Sequence, residues 1–247
     1  ILKFFSSRFF LIFLFPFIIG SLTVFSFQPF NLSFINFVVF PILFLLTTYT
    51  QKKSKNTYRK KPYLLNLFFI GYLFGVGFFL SGVHWISHSL TFDENFRFLI
   101  PLAIIGFPIF LGLFFGLANL IVGPFLQNNF ISIILFATSF ALMDYLRAKI
   151  LSGFPWNLWA YSWSWKPEIL QSLFYLGFFT FNLLCIIIYC SPLLLFFKKK
   201  IYLLLFFLIS LVFFGNYIYG SSIIAKNNKY LANLNLNPKN SIYTKII

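Results

Sequence analysis

Acidic side chains are almost absent, with four Asp and Glu among 247 residues. That scarcity removes the paired carboxylates on which general acid–base hydrolysis relies. Cysteine is nearly as rare, and two residues exclude a disulfide framework. Cys185 and Cys190 stand five apart in the apolar stretch NLLCIIIYCSP, on different helix faces, with no base or cation near them in sequence. Thiols so placed read as inert packing residues. No Gly-rich phosphate loop and no Ser-His-Asp arrangement appears. Charge of either sign is thin, at 9% of residues, where soluble domains carry about 25%.

What fills the chain is hydrocarbon. Hydrophobic residues make up 60% of it, and the mean hydropathy is +0.89. A soluble fold cannot hide that much apolar surface, so the solvent is lipid. Spanning segments must then be helices or a closed barrel, and the apolar runs show no barrel-like alternation. The expected fold is an all-α integral membrane protein, a bundle of about seven transmembrane helices. They fall at roughly 9–27, 32–49, 64–90, 98–122, 130–151, 168–197 and 201–219, each long enough to cross a bilayer, which takes about 20 residues. The connections are FQPFN, the basic QKKSKNTYRKKP, TFDENF, GPFLQNN, the aromatic KILSGFPWNLWAYSW and KKK. The 41 Phe, beside many Ile, Asn and Lys, read as nucleotide bias in the source.

The net charge of +15 sits in short clusters between apolar runs, as in cytoplasmic loops, and not in a nucleic-acid patch. Lys3, Arg8, Lys52, Lys53, Lys55, Arg59, Lys60, Lys61 and Lys198 to Lys200 share one side. Only Arg97, Arg147, Lys149 and Lys166 precede the tail on the other. The N-terminus is therefore expected to be cytoplasmic and the C-terminal tail extracytoplasmic. The chain starts with Ile, and NSIYTKII reads as the beginning of a strand. Residues 1–220 are thus expected to form the polytopic membrane domain of a fragment, and 221–247 a linker and the first strand of a truncated second domain.

Few residues are equipped for chemistry. Asp144 and Arg147, three apart on one helix face, either lock a helix end, or face a lipid phosphate or hold a loop lining a lipid site. Gly71 and Gly75 form a GxxxG packing element. His84 and His88 have the i, i+4 spacing of metal ligands, but Trp85 stands where a zinc protease needs Glu, and no third ligand is evident. No metal and no cofactor is expected. In the aromatic connection, Trp159, Trp163 and Trp165 fit an interfacial belt. Gly153, Phe154, Pro155 and Trp156 do not reduce to a belt. Gly153 suits a left-handed cap ending the fifth helix, and Pro155 drives Phe154 out of helical geometry, so the chain stops short and re-enters with fixed shape.

Two segments together carry a resemblance: FGVGFFLSGVHWISHSL (74–90) and DYLRAKILSGFPWNLWAYSW (144–163). They resemble the membrane domain of the apolipoprotein N-acyltransferase family through Gly82, Trp85 and Ser89, then Asp144, Tyr145, Leu146 and Arg147, then Gly153, Phe154, Pro155, Trp156 and Tyr161. Ser87 stands where an aromatic is common in that family. The resemblance implies a bacterial cytoplasmic (inner) membrane protein joined to a nitrilase-like extracytoplasmic domain with a Glu-Lys-Cys triad. It implies a phospholipid acyl donor and a diacylated apolipoprotein acceptor, whose N-terminal α-amine receives the acyl chain through a thioester. It makes Trp85, Ser89, Asp144, Arg147, Gly153, Phe154, Pro155, Trp156 and Tyr161 the candidate lipid-binding residues. It supplies no catalytic residue within this chain, which is expected to be inactive alone. Other classes compatible with the composition are a non-catalytic membrane scaffold and a small transporter subunit.

Overall fold

The computed structural model describes residues 7–57, 62–150 and 153–235, and every regular element among them is helical. The strand expected near the C-terminus lies outside these residues. Among them, six helices are long and apolar enough to cross a membrane: Ser33–Lys53, Tyr63–Thr91, Leu102–Phe125, Phe130–Arg147, Phe178–Phe196 and Lys200–Asn233. A shorter apolar helix, Phe10–Ser26, comes before them. The result is an all-α membrane bundle of seven apolar segments. We name their helical bodies α1 (Phe10–Ser26), α2 (Asn36–Thr57), α3 (Pro62–Val83), α4 (Phe107–Val122), α5 (Phe130–Arg147), α6 (Phe178–Cys190) and α7 (Lys200–Asn235).

Several boundaries differ from the sequence expectation, each for a local reason. The third segment changes at Val83 from α-helix to a 3₁₀ helix over His84–Thr91. With three residues per turn, His84 and His88 no longer share a face, and the i, i+4 argument for a metal pair lapses. TFDENF is partly helical, because Asp93 accepts the Asn95 N–H at 2.9 Å and starts a further 3₁₀ stretch, Glu94–Leu99. The sixth segment is broken into single turns, Pro167–Leu170 and Leu173–Leu176, before Gly177 at φ 72° redirects the chain into α6. The last helix does not end near residue 219 but runs on through the polar residues to Asn235.

Phenylalanine is the most frequent side chain in the core. Phe40 and Phe44 of α2, Phe74, Phe78 and Phe79 of α3, Phe115 of α4, and Phe136 and Phe140 of α5 are all fully buried. The GxxxG element works as expected. A Cβ on Gly75 would stand 2.9 Å from the Gly112 Cα, and one on Gly71 would run into the Phe115 carbonyl, so α3 and α4 touch backbone to backbone. Polar groups in the apolar interior are spent on neighbouring helices. Asn119 donates to the Leu67 carbonyl at 2.7 Å and pairs with Thr47 at 3.1 Å, while Ser139 donates to the Ala118 carbonyl at 2.9 Å.

Connections alternate between the two ends of the bundle. At the basic end, Gln51 donates to the Pro124 carbonyl at 2.8 Å, and Arg8 donates to Asn66 at 2.7 Å. At the other end, the FQPFN turn, the His84 helix and the 153–166 segment meet. α7 stands apart, with only 6% of its apolar window buried. It is held by Asn216, which donates to the Ile169 carbonyl at 2.9 Å, and by Phe213 against Trp163, with centroids 5.1 Å apart.

Candidate functional site

The site begins where α5 stops. Arg147 is its last residue, and Ala148 caps it, its N–H bonded to the Asp144 and Leu146 carbonyls. The Lys149 and Ile150 N–H groups both turn back to the Leu146 carbonyl, at 2.9 and 2.8 Å. Gly153 does take a left-handed φ of 76°, but six residues past the helix end and not as its cap. The reason is space: a Cβ there would collide with the Ala148 carbonyl. Phe154 N–H then returns to the Arg147 carbonyl at 3.0 Å, and the chain re-enters the bundle.

Arg147 organises that return. Its side chain is 2% exposed, and its Nη1 donates to the Phe154 carbonyl at 2.7 Å and the Trp156 carbonyl at 2.8 Å, one on each side of Pro155. Nη2 donates to Asp144 Oδ1 at 2.9 Å, and the guanidinium lies over the Phe79 ring at 5.0 Å. The Asp144 carboxylate is fully buried, and its second oxygen accepts from Asn182 Nδ2 at 3.0 Å. Asn182 Oδ1 in turn accepts the Ala160 N–H at 3.1 Å. A buried ion pair standing alone would scarcely repay its desolvation. Here each partner also binds the re-entrant chain, so the pair is a fixing point for irregular backbone at membrane depth.

The aromatic belt expected of this segment is mostly not one. Trp159 is fully buried, its ring 4.6 Å from Phe78 and 4.7 Å from Phe40, with Phe27, Phe74 and Phe115 completing the shell. Trp163 is 7% exposed and stacks on Tyr189. Re-entry drives both rings into the core, where their contact area counts for more than an interfacial N–H. Only Trp165, half-exposed and donating to Ser33 Oγ at 2.7 Å, fits the belt.

Above Trp159 opens a cleft of about 610 Å³. Its walls are the end of α1 with the turn Phe25–Phe30, the end of α3 from Ser81 to Trp85, and Trp156 with Asn157. Trp85 and Trp156 face each other with centroids 5.3 Å apart, and Trp85 Nε1 donates to the Gly82 carbonyl at 3.1 Å. Asn157 is a non-glycine residue at φ 52°, with its amide against Gly82, where any Cβ would clash. Among the described residues, no Lys, Arg, Asp or Glu lines the cleft. Such a lining suits an apolar chain carrying a few neutral polar atoms.

The sequence-derived candidates therefore separate. Trp85 and Trp156 line the cleft. Asp144, Arg147 and Gly153 lie behind it and shape the segment. Phe154 turns to Phe107, with centroids 4.9 Å apart, and Pro155 is exposed between the two anchored carbonyls. Ser89 spends its hydroxyl on the Ile86 carbonyl at 2.7 Å, and Tyr161 packs on Phe178 with centroids 4.7 Å apart, so neither lines the cleft. Asn157, Asn182 and the Phe25–Phe30 wall were not singled out from sequence. An Asn in an apolar helix was the available signal for Asn182.

The model of a family described as the apolipoprotein N-acyltransferase N-terminal domain matches residues 19–191. The chain belongs to the apolipoprotein N-acyltransferase family. It is 33% identical over 180 residues to the apolipoprotein N-acyltransferase of Brucella melitensis, covering 72% of this chain and 33% of that protein. The Sinorhizobium medicae enzyme of that name is 32% identical over 180 residues, covering 72% of this chain and 33% of the relative. That of Rhizobium etli is 38% identical over 128 residues, covering 51% of this chain and 24% of the relative. The chain spans about a third or less of the length of these relatives. Within this apolipoprotein N-acyltransferase domain, the matched stretch holds the whole cleft and Asn182, and leaves α7 outside.

Proposed function

We propose that this chain is the membrane part of an enzyme that transfers an acyl chain from phospholipid to the α-amine of a lipoprotein's N-terminal diacylglyceryl cysteine. It sits in the bacterial inner membrane, N-terminus in the cytoplasm and C-terminal tail outside, with residues 1–220 as the membrane domain and 221–247 leading towards a nitrilase-like domain. The observation that carries the reading is the mostly apolar cleft between Trp85, Trp156 and the Phe25–Phe30 turn, lined by no Lys, Arg, Asp or Glu among the described residues and lying at the end opposite the basic connections. It receives an acyl chain of the donor, with Trp85 and Trp156 against the chain and Asp144, Arg147, Gly153, Phe154 and Pro155 keeping the segment in shape. Ser89 and Tyr161 lie outside the cleft lining, so a part for them would be with the headgroup or the diacylated acceptor and not with the acyl chain.

The acyl chemistry belongs to the Glu-Lys-Cys set that the family resemblance implies. Cys185 and Cys190 are buried among Leu, Ile and Phe, without access for an ester carbonyl. A transporter subunit would need a polar path, whereas Asp144 and Arg147 are closed in by each other, Asn182 and two carbonyls.

The test uses membranes containing the chain and a phospholipid with a photoactivatable group in its acyl chain. Label should concentrate on peptides holding Phe25–Phe30, Trp85 and Trp156, and fall in Trp156→Ala. Label confined to the outer face of α7 would end the reading. With labelled phospholipid the chain alone should form no hydroxylamine-sensitive adduct, and one on Cys185 or Cys190 would refute its inactivity.

A further inference from the structure

Asn182 lies on α6, outside the cleft, yet it is fully buried and both ends of its amide are engaged. Its Nδ2 donates to Asp144, and its Oδ1 accepts from Ala160 N–H. Arg147, on the other side of Asp144, grips the Phe154 and Trp156 carbonyls. The re-entrant chain is thus held at 154, 156 and 160 by a single continuous set of three side chains, with the Trp159 ring set between the last two grips. Free to move at either grip, the backbone would carry Trp156 away from Trp85 and Asn157 away from Gly82.

We infer that Asn182 is a positioning residue, which through Asp144 and the Ala160 N–H fixes the Trp156 wall and so the width of the proposed lipid cleft. The inference rests on the proposed function only for its lipid consequence; its geometric claim stands without it. The chemistry offers a test by exchange. In Asn182→Asp the donor to Asp144 is lost and two carboxylates face each other. In Asp144→Asn the Arg147 guanidinium loses its counter-charge. In the double exchange, the carboxylate moved to position 182 accepts from Ala160 N–H and from the amide moved to position 144, whose oxygen accepts from Arg147. Every hydrogen bond and the net charge are kept.

The chain has five Trp, so 5-fluorotryptophan labelling gives fluorine lines that single substitutions can assign. In each single variant the Trp85 and Trp156 lines should move or broaden, and cleft photolabelling should fall about tenfold, the equilibrium change expected for losing one hydrogen bond to a charged group. The double exchange should restore both. Folded single variants with unmoved Trp85 and Trp156 lines overturn the inference. So does a double exchange that recovers thermal stability while Trp156 stays displaced. If the single variants do not accumulate, the double exchange decides alone, by matching or missing the wild-type line positions. If the lines respond as expected but the wild-type cleft takes no lipid label, the clamp stands and the lipid reading falls.

Discussion

The two ends of this bundle solve the same problem, joining helices at a membrane surface, in different ways. At the basic end, the bonds among the described residues are short-range caps and single reaches between helices. Gln51 reaches one carbonyl beside the α4–α5 turn, and Arg8 reaches one Asn. At the opposite end the chain folds back, drops Trp159 into the core, and fastens itself with a buried ion pair and an amide. The first arrangement closes a bundle. The second spends buried charge and left-handed backbone on holding a cleft open, a cost that closure alone does not require. The proposed function falls where local structure is most expensive.

Substitutions at the two ends sharpen this contrast or break it. The largest effect is expected from Arg147→Leu, which leaves Asp144 buried and unpaired and frees two carbonyls. Thermal unfolding in detergent should show a loss at the upper end of about 3–5 kcal/mol. Arg147→Lys should recover part of that stability, because an ammonium neutralises Asp144, but without the planar fork it should not restore cleft labelling. Trp159→Ala comes next, at about 3 kcal/mol, by emptying the shell of Phe27, Phe40, Phe74, Phe78 and Phe115. Gly82→Ala should cost about 1–2 kcal/mol by pushing Asn157 away, and should depress lipid labelling more than its stability loss suggests. Gln51→Leu, at the basic end, should cost about 0.6 kcal/mol and leave labelling unchanged. A Gln51→Leu loss as large as that of Arg147→Leu would erase the distinction between the ends.

Much of the fold was legible because lipid imposes a single rule, one long apolar run per crossing. The positions of the spans, the GxxxG contact and the re-entry at GFPW follow from composition, small residues and two backbone-restricted residues. The Asp144–Arg147 spacing gave the ion pair. What that pair holds was not legible, since the Phe154, Trp156 and Ala160 groups it reaches are backbone atoms, identical in every residue. Trp159 was misplaced for a related reason. A Trp near a membrane surface fits a belt or a core equally well by type, and only the path of the chain decides. The 3₁₀ continuation after Val83 left no mark in the residue pattern, so the i, i+4 spacing put His84 and His88 on one face. The abundant Phe, read as a bias of the source, is also the most frequent buried side chain.

α7 bears on how the molecule comes to exist. Its 36 residues extend about 54 Å, well beyond the hydrocarbon thickness, and it meets the other helices along one side only, through Tyr202, Leu205, Phe206, Ile209 and Phe213. None of its residues lines the cleft, whose walls all come from earlier segments. A ribosome delivering this chain from its N-terminus therefore hands the bilayer every wall of the cleft first and the flanking helix afterwards. Assembly of the cleft does not wait for the last helix to arrive.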